Sequence, residues 1–467
     1  MNHKRIFKIT AIAGFALLVQ SCFVAKTYDR PEVKEAEGTY RTDQLPQDSL
    51  TMADVSWEEL FTDSYLRDYI RQGLENNLDI RIAIQQITAA EAYMKQGKAG
   101  YFPTLSVGAD ASRQFLAKNS QFGSFFSGHI DQFQLTGNLS WEADIWGKIR
   151  SNRRAFLASY LQTVAAHKAV KTELIASIAS AYYQLLSLDE QRKITEETIA
   201  NRKSSLETTR ALKEAGTVTE VGVKQTEAQL HTAEALLVDI RANIKLMENT
   251  ISILLGEAPQ KIERSTLDSQ HIDTELRTGV PAQLLQNRPD VVAAEYGLVN
   301  AFELTNVARS NFYPSLTLSA TGGFQSTDFQ KWFDSGSLFA TLTAGLVQPI
   351  FNKRQIRTQY EVSEAQQESA LLEFRKTLLN ASKEVSDALY TYEAETEKID
   401  IREKEFSAYK LATEYSEELL NNGMVNYLEV LTAKEQALNS ELNYIDSKYR
   451  QLNAVISLYK ALGGGWK

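Results

Sequence analysis

Asn77-Leu78-Asp79-Ile80, followed by Tyr101-Phe102-Pro103-Thr104-Leu105, is echoed later by Arg288-Pro289-Asp290-Val291, followed by Phe312-Tyr313-Pro314-Ser315-Leu316. The displacement is constant, since 290 − 79 and 314 − 103 are both 211. Further on, Gly216-Thr217-Val218 returns as Gly423-Met424-Val425 and Leu255-Gly256 as Leu462-Gly463, each displaced by 207 (423 − 216, 462 − 255). An offset that drifts so little over a whole repeat marks an internal duplication, and a long-period repeat decides the fold before any local signal does. Each copy carries the same order of elements: a helix, two short alternating strands, a very long helix and a returning helix.

Between the helices the pattern switches to period two. In 132–143, Phe133, Leu135, Gly137, Leu139 and Trp141 lie on one side, with Gln132, Gln134, Thr136, Asn138, Ser140 and Glu142 on the other. In 315–324, Leu316, Leu318, Ala320, Gly322 and Phe324 oppose Ser315, Thr317, Ser319 and Thr321, and 105–111 and 340–346 repeat the scheme. Strands are predicted at about 103–112 and 131–143, and again at about 314–324 and 339–348. One apolar and one neutral polar side over about ten residues suits a transmembrane strand with lipid outside and water inside. The same alternation also suits a soluble hairpin on a core; four such segments on an exported chain point to the membrane. The connecting stretches 115–129 and 325–337 are rich in Ser, Gly and Phe, like external barrel loops. Four strands cannot close a barrel, and an open edge in hydrocarbon leaves backbone groups unpaired at several kcal/mol each. Several copies must share one barrel, and three copies supply twelve strands.

The helices are long. Lys148 to about Ala215 holds no Pro and, between its ends, no Gly, and Gln355 to about Asn422 is similar. At 1.5 Å per residue each reaches about 100 Å, for which coiled-coil packing is the default. Leu157, Leu161, Val164, Leu174, Ile178, Leu185 and Leu188 make the first stripe; Leu371, Phe374, Leu378, Val385 and Leu389 make the second. Each long helix stops at a glycine, Gly216 or Gly423, and a second helix returns over 220–255 or 427–462. Upstream, Leu66, Ile70, Leu74, Leu78, Ile82 and Ile87 predict one helix from Ser64 to about Ala99. The repeats are thus placed at 61–260 and 288–467, joined by a linker or equatorial segment, 261–287, whose stretch from Arg264 to Val280 is polar.

The amino terminus reads as an export signal. Lys4, Arg5 and Lys8 precede an apolar run from Ile9 to Val19, broken only by Thr10, and Ser21-Cys22 follows. Residues 1–21 fit a secretory signal too short to span a bilayer. Val19-Gln20-Ser21-Cys22 resembles a bacterial lipobox, with Val19 in place of the commoner Leu. Cys22 is the single cysteine of the chain. Its thiol would take a diacylglyceryl group and the new amino terminus an acyl chain, and several chains at about 0.8 kcal/mol per buried CH₂ anchor firmly. A lone core cysteine is the alternative. Either way no intrachain disulfide is available. Residues 22–60 read as a lipid-anchored tether, polar and irregular from Phe23 to Leu50. The net charge of −9 becomes more negative once the basic signal leaves, and no basic cluster is dense enough for nucleic acid. His3, His129, His167, His231 and His271 are scattered, no HExxH or CxxC occurs, and Gly463-Gly464-Gly465 has no helix after it to cradle a phosphate. Neither enzyme chemistry nor a cofactor beyond the covalent lipid is indicated.

At this point the residues resemble the TolC-like outer membrane factor family, and more closely its lipoprotein branch of OprM and NodT type, which serves tripartite RND efflux systems. The resemblance is carried by Tyr28-Asp29-Arg30-Pro31, by Trp57-Glu58-Glu59-Leu60-Phe61, and by Trp141-Glu142-Ala143-Asp144-Ile145-Trp146-Gly147-Lys148-Ile149-Arg150. Pro281-Ala282-Gln283-Leu284-Leu285-Gln286-Asn287-Arg288-Pro289-Asp290 and Leu458-Tyr459-Lys460-Ala461-Leu462-Gly463-Gly464-Gly465-Trp466 complete it. It implies a mainly α chain with a membrane β-barrel: a homotrimer whose twelve-stranded β-barrel is continuous with a long periplasmic α-helical barrel, lipid-anchored in the outer membrane. It implies a periplasmic adaptor (membrane fusion) protein and an inner membrane RND transporter as partners, docking where Gly216 and Gly423 turn the hairpins. It implies an acidic constriction just past the second turn, where Glu429 matches one acidic position and Thr432 stands where the family has an aspartate. An exposed carboxylate near a helix N-terminus is the alternative for Glu429. The implied function is a passive exit duct for drugs or other small solutes. A TolC-type exit for secreted proteins and a non-pore periplasmic scaffold lipoprotein are the competing readings.

Overall fold

The computed structural model of the chain describes residues 24–34, 51–117, 119–121, 128–270, 279 and 281–467. Cys22 lies outside the described residues. The principal elements are α1 (Ser64–Asn76), α2 (Leu78–Ala99), β1 (Thr104–Phe115), β2 (His129–Ala143), α3 (Lys148–Glu214), α4 (Glu220–Leu254), α5 (Pro289–Ser310), β3 (Ser315–Ser326), β4 (Leu338–Val347), α6 (Gln355–Asn421) and α7 (Tyr427–Ala461). The duplication is visible in their lengths. α2 and α5 each have 22 residues, α3 and α6 each 67, and α4 and α7 each 35.

Two compact units cut across the repeats. One gathers Met1–Pro31, Ile87–Gln162 and Ala294–Glu373; the other gathers Glu32–Gln86, Thr163–Ala293 and Phe374–Lys467. Each repeat contributes to both.

The first unit contains one antiparallel sheet in the order β1-β2-β3-β4, so the hairpins of the two repeats join through β2 and β3. Residues 24–31, predicted as part of an irregular tether, are docked on α5 instead. Asn306 accepts from the Lys26 N–H at 3.1 Å and donates back to the Lys26 carbonyl at 2.9 Å. Arg30 forks onto Glu295 at 2.6 and 2.7 Å, and Tyr28 meets the edge of Phe302. A segment without helix or strand gains a fixed place by borrowing side-chain partners from a neighbouring helix.

The second unit packs around Phe61, Leu66, Ile70, Ile178, Tyr182, Leu185 and Phe374, all under 2% exposed. The single helix predicted over 64–99 is broken here. Asn77 leaves helical geometry (φ −56°, ψ 132°) and caps α2 by accepting from the N–H groups of Asp79 and Ile80. The break turns Leu78 and Ile82 outward, so the predicted apolar stripe is core only as far as Ile70. The described part of the predicted polar linker is also no loose connection. Arg264 is almost covered, bonded to Asp189 and to Glu248 at 2.8 Å. Burial alone would lower the pKa of its guanidinium, and the two carboxylates raise it above its ordinary value. Beside it Asp63 caps α1 and accepts from Tyr182, Ser265 and Gln270. Burial would push the Asp63 carboxyl up; the hydrogen bonds from Ser265, Gln270 and Tyr182 outweigh it and hold the group below its usual range.

The repeats close on themselves by the same device. α4 and α7 end in left-handed glycines, Gly256 (φ +76°) and Gly463 (φ +88°). Their N–H groups donate to Ile253 O and Lys460 O, and the next amides donate to Ser252 O and Tyr459 O, which is a Schellman cap. In the first repeat Asn77 Nδ2 donates to Leu254 O at 2.9 Å; in the second Arg288 Nη1 donates to Ala461 O at 3.1 Å. A Cβ on Gly256 would sit 2.5 Å from Asn76 O, and one on Gly463 2.5 Å from Asn287 O. Gly256→Ala and Gly463→Ala therefore combine an unfavourable φ with a backbone clash, and each lowers stability by about 2 kcal/mol or more. Thermal unfolding followed by circular dichroism checks this, with Gly336→Ala, which has open space for a Cβ, leaving the midpoint unchanged.

Candidate functional site: hairpin tips and a two-faced sheet

The α3–α4 and α6–α7 turns are built alike. Gly216 (φ +78°) and Gly423 (φ +72°) cap the long helices, with Gly216 N–H donating to Lys213 O and Gly423 N–H to Leu420 O. The following amides, Thr217 and Met424, donate to Leu212 O and Leu419 O. Thr219 and Asn426 then cap the returning helices, accepting from the N–H groups of Gly222 and Glu429. A Cβ on either turn glycine meets nothing within 4 Å, so glycine is needed here for its φ and not for space.

The tips differ in charge. Over 200–233 five cations (Arg202, Lys203, Arg210, Lys213, Lys224) face four carboxylates (Glu207, Glu214, Glu220, Glu227), a net +1. Over the equivalent 407–440 two cations (Lys410, Lys434) face five carboxylates (Glu414, Glu417, Glu418, Glu429, Glu435), a net −3. One ion pair is reversed in place: Arg210–Glu227 at 3.3 Å in the first hairpin corresponds to Glu417–Lys434 at 2.6 Å in the second. Lys434 Nζ also donates to Ser205 Oγ at 2.8 Å, and Gln229 Nε2 donates to Glu435 at 3.3 Å, so the two hairpins are tied to each other near their ends. Sequence reading missed this tie, although the reversed signs at equivalent positions were visible.

Glu429 lies in the first turn of α7 with its side chain exposed, its N–H bonded to Asn426. It heads an exposed polar stripe, Glu429, Thr432, Gln436, Asn439 and Asn443, at alternating spacings of three and four. Thr432 satisfies its hydroxyl on Leu428 O at 2.9 Å. α4 presents a different exposed stripe at the same spacing. Val221, Ala228, Ala235, Ala242, Leu246 and Ile253 share it with Gln225, Thr232, Asp239 and Asn249. This stripe of small, apolar and polar residues is exposed among the described residues. α6 has a matching open face. Leu379, Tyr390 and Ile401 are 54%, 36% and 56% exposed, whereas their equivalents on α3, Thr172, Tyr183 and Ile194, are buried.

The sheet has two chemical faces in register. Leu105 faces Leu139, Leu139 faces Ala320 and Ala320 faces Leu342, while Ser106 faces Asn138, Asn138 faces Thr321 and Thr321 faces Thr341. Among the described residues the apolar face is bare, with Leu105, Val107, Leu342 and Leu346 each about two-thirds or more exposed. Aromatic rings close it at both ends. Phe133 and Phe324 are covered by Phe329, Trp332 and Phe333 at one end, and Trp141 bonds to Tyr101 O beside Phe102 at the other. Strands of 10 to 15 residues are long enough to cross hydrocarbon when tilted. No helix among the described residues is long and apolar enough to do so. No cluster of three metal-binding side chains occurs among the described residues.

Comparison with known proteins converges. A family profile described as "Outer membrane efflux protein" matches twice, once per repeat, over residues 69–257 and 280–464. The chain is similar to the solvent efflux pump outer membrane protein SrpC of Pseudomonas putida, 29% identical over 467 residues, 98% of this chain and 99% of that protein. It is similar to the cation efflux system protein CusC of Escherichia coli, 26% identical over 97% of each. The crystal structure of a membrane protein from Pseudomonas aeruginosa superposes with a TM-score of 0.86 at 25% identity, covering 94% of this chain and 100% of that one.

Because Lys434 touches both hairpins, Lys434→Ala should loosen the tips alone. Hydrogen exchange around 200–233 and 407–440 is then faster, while the amides near Tyr182 and Phe374 exchange as in the wild type.

Proposed function

The chain belongs to the outer membrane efflux protein family, and we propose that it acts as a homotrimeric exit duct carrying small solutes outward from a periplasmic adaptor and an inner membrane RND transporter. The observation that carries the reading is the two-faced sheet with open edges. An apolar band bounded by aromatics suits lipid, and a face of mainly Ser, Thr, Asn and Gln, with the carboxylates Asp110 and Glu142, suits a water-filled lumen. In hydrocarbon the outer edges of β1 and β4 need partners. Exposed apolar residues on α4 (Val221, Leu246, Ile253) and α6 (Leu379, Ile401) are further surface that other copies of the chain would cover. Three copies give twelve strands. Cys22, acylated, would add a lipid anchor to the barrel's own hold on the membrane.

The mechanism is passive. A lumen face that is polar and carries few charges, Asp110 and Glu142 among them, has little with which to select cargo, so selection lies with the pump, and the duct only keeps solutes out of the bilayer. The polar stripe of α7 headed by Glu429 would line the tip. Three Glu429 carboxylates around an axis attract cations and repel one another, which makes closure depend on nearby ties such as Lys434–Glu417 and Lys434–Ser205. Opening is a shift of the hairpins against each other, biased by docked partners. With Thr432 in place of a second acid, the ring is weaker than a double one. Nothing in this scheme breaks or makes a covalent bond, so the chain is read as a conduit and not as an enzyme.

Planar bilayer recording tests the reading. Purified protein gives stepwise conductance with cation preference, and Glu429→Ala lowers that preference at unchanged oligomer mass. An assembled oligomer without conductance would favour a scaffold, and an unchanged preference in the variant would remove Glu429 from the pore.

A further inference from the structure

The two turns that lead from strand into long helix have opposite chemistry. Between β2 and α3, Asp144 accepts from the N–H groups of Ile149 and Arg150 at 2.8 and 2.9 Å, and Glu142 accepts from Lys148 Nζ at 3.0 Å. The left-handed residue of that turn is a glycine, Gly147 (φ +78°). Leu139 faces Leu105 and Leu346 faces the equivalent Leu316, so a displacement of 207 (346 − 139) carries this turn onto the one between β4 and α6. Pro349 and Phe351 then stand in place of Glu142 and Asp144, Lys353 in place of Trp146, and Arg354 in place of Gly147. Both carboxylates are gone from the second turn and two cations have entered it. Arg354 keeps the left-handed backbone (φ +67°), and Lys353 beside it is left-handed too (φ +55°). Among the described residues these are the two non-glycines with positive φ. A Cβ makes that region unfavourable, and an outlier of this kind points to side chains with a task.

The second turn lies where the apolar band ends. β4 stops at Val347, paired with Ser315, at the same end of the sheet as Tyr101, Phe102 and Trp141. Past it Ile350 and Phe351 are 78% and 98% exposed and carry apolar surface beyond the strand. Lys353, Arg354 and Arg357 follow, all exposed. One carboxylate, Glu361, serves both guanidiniums, at 2.9 Å from Arg354 and 3.4 Å from Arg357. Bare apolar side chains followed at once by an excess of cations complement a lipid, which offers hydrocarbon and, next to it, a phosphate. We propose that the turn 349–357 binds an anionic phospholipid of the leaflet nearer the long helices. Ile350 and Phe351 lie against its acyl chains, and Lys353, Arg354 and Arg357 meet its headgroup phosphate. The inference rests on the membrane placement proposed above and adds a lipid preference to it. The β2–α3 turn, which holds its own carboxylates, has no such preference.

Fluorescence quenching by brominated lipid reads the preference at the turn itself. The full chain carrying Phe351→Trp is reconstituted into phosphatidylcholine vesicles containing either brominated phosphatidylglycerol or brominated phosphatidylcholine, next to a chain carrying Leu342→Trp on the apolar face. The wild type corrects for the 5 natural tryptophans. The Phe351→Trp reporter should favour phosphatidylglycerol by about fivefold or more, which is what one basic side chain near a charged headgroup supplies. Adding Lys353→Gly and Arg354→Gly should cut the preference to about twofold or less. The same pair of glycines should leave the thermal midpoint in phosphatidylcholine unchanged or raised, because glycine takes the left-handed backbone without strain. Equal quenching of the Phe351→Trp reporter by the two lipids overturns the site, as does a preference that inorganic phosphate abolishes at constant ionic strength, which marks a small-anion site. A lost preference together with a lower midpoint makes the two cations structural and also overturns it. A Leu342→Trp reporter that is quenched while the Phe351→Trp reporter is not would place the turn against protein, overturning the site and leaving the membrane placement standing. Quenching of neither reporter overturns both.

Discussion

A backbone N–H or C=O facing hydrocarbon with no partner costs several kcal/mol, and this chain makes a sheet with two such edges. Everything distinctive about it follows from that debt. β1 and β4 lie far apart in sequence and on opposite sides of the sheet, so the chain cannot roll its own four strands into a tube narrow enough to close. In the assembly proposed above, each open edge pairs with another copy of the chain. The apolar face shows the same incompleteness in another form, because no element among the described residues covers Leu342, 85% exposed, or Leu105.

The duplication turns this constraint into an economical solution. The two repeats keep caps at the same positions: Gly256 and Gly463 lie against the carbonyls of Asn76 and Asn287, and different side chains, Asn77 and Arg288, donate to Leu254 and Ala461. They diverge where their surroundings diverge. Thr172 is buried and Leu379 is exposed; Ile194 is buried and Ile401 is not. Equivalent residues are thus buried in one repeat and exposed in the other. At the tips the divergence is electrostatic. The Arg210–Glu227 pair and its reversed counterpart Glu417–Lys434 keep one attraction while changing the sign of the surface around it.

Much of this was legible in the sequence. The offsets of 211 and 207, the period-two stretches and the uninterrupted 67-residue helices state the architecture, because each is a repeated pattern that chance or local context does not imitate. The tip glycines were legible for the same reason. What escaped were features decided by a few tertiary contacts. The break at Asn77 follows from one side chain that bonds α2 forward and Leu254 across, and the periodic run of Leu74, Leu78 and Ile82 conceals it. Arg264, in a stretch of polar residues, looked like a linker residue until Asp189 and Glu248 came beside it. Residues 24–31 have no periodicity at all, and only Asn306 and Glu295 on α5 explain their fixed course. The role of Glu429 stays a proposal for a related reason, since in one chain it is merely an exposed carboxylate and only an assembly could bring its equals together.

The most direct measurement is amide hydrogen exchange of the membrane-embedded protein, resolved along the four strands. If sisters complete the ring, the amides of β1 and β4 are protected to the same degree as those of β2 and β3. Fast exchange at alternate amides along the outer edges of β1 and β4, with the inner strands protected, would show that those edges stay open and would contradict the account.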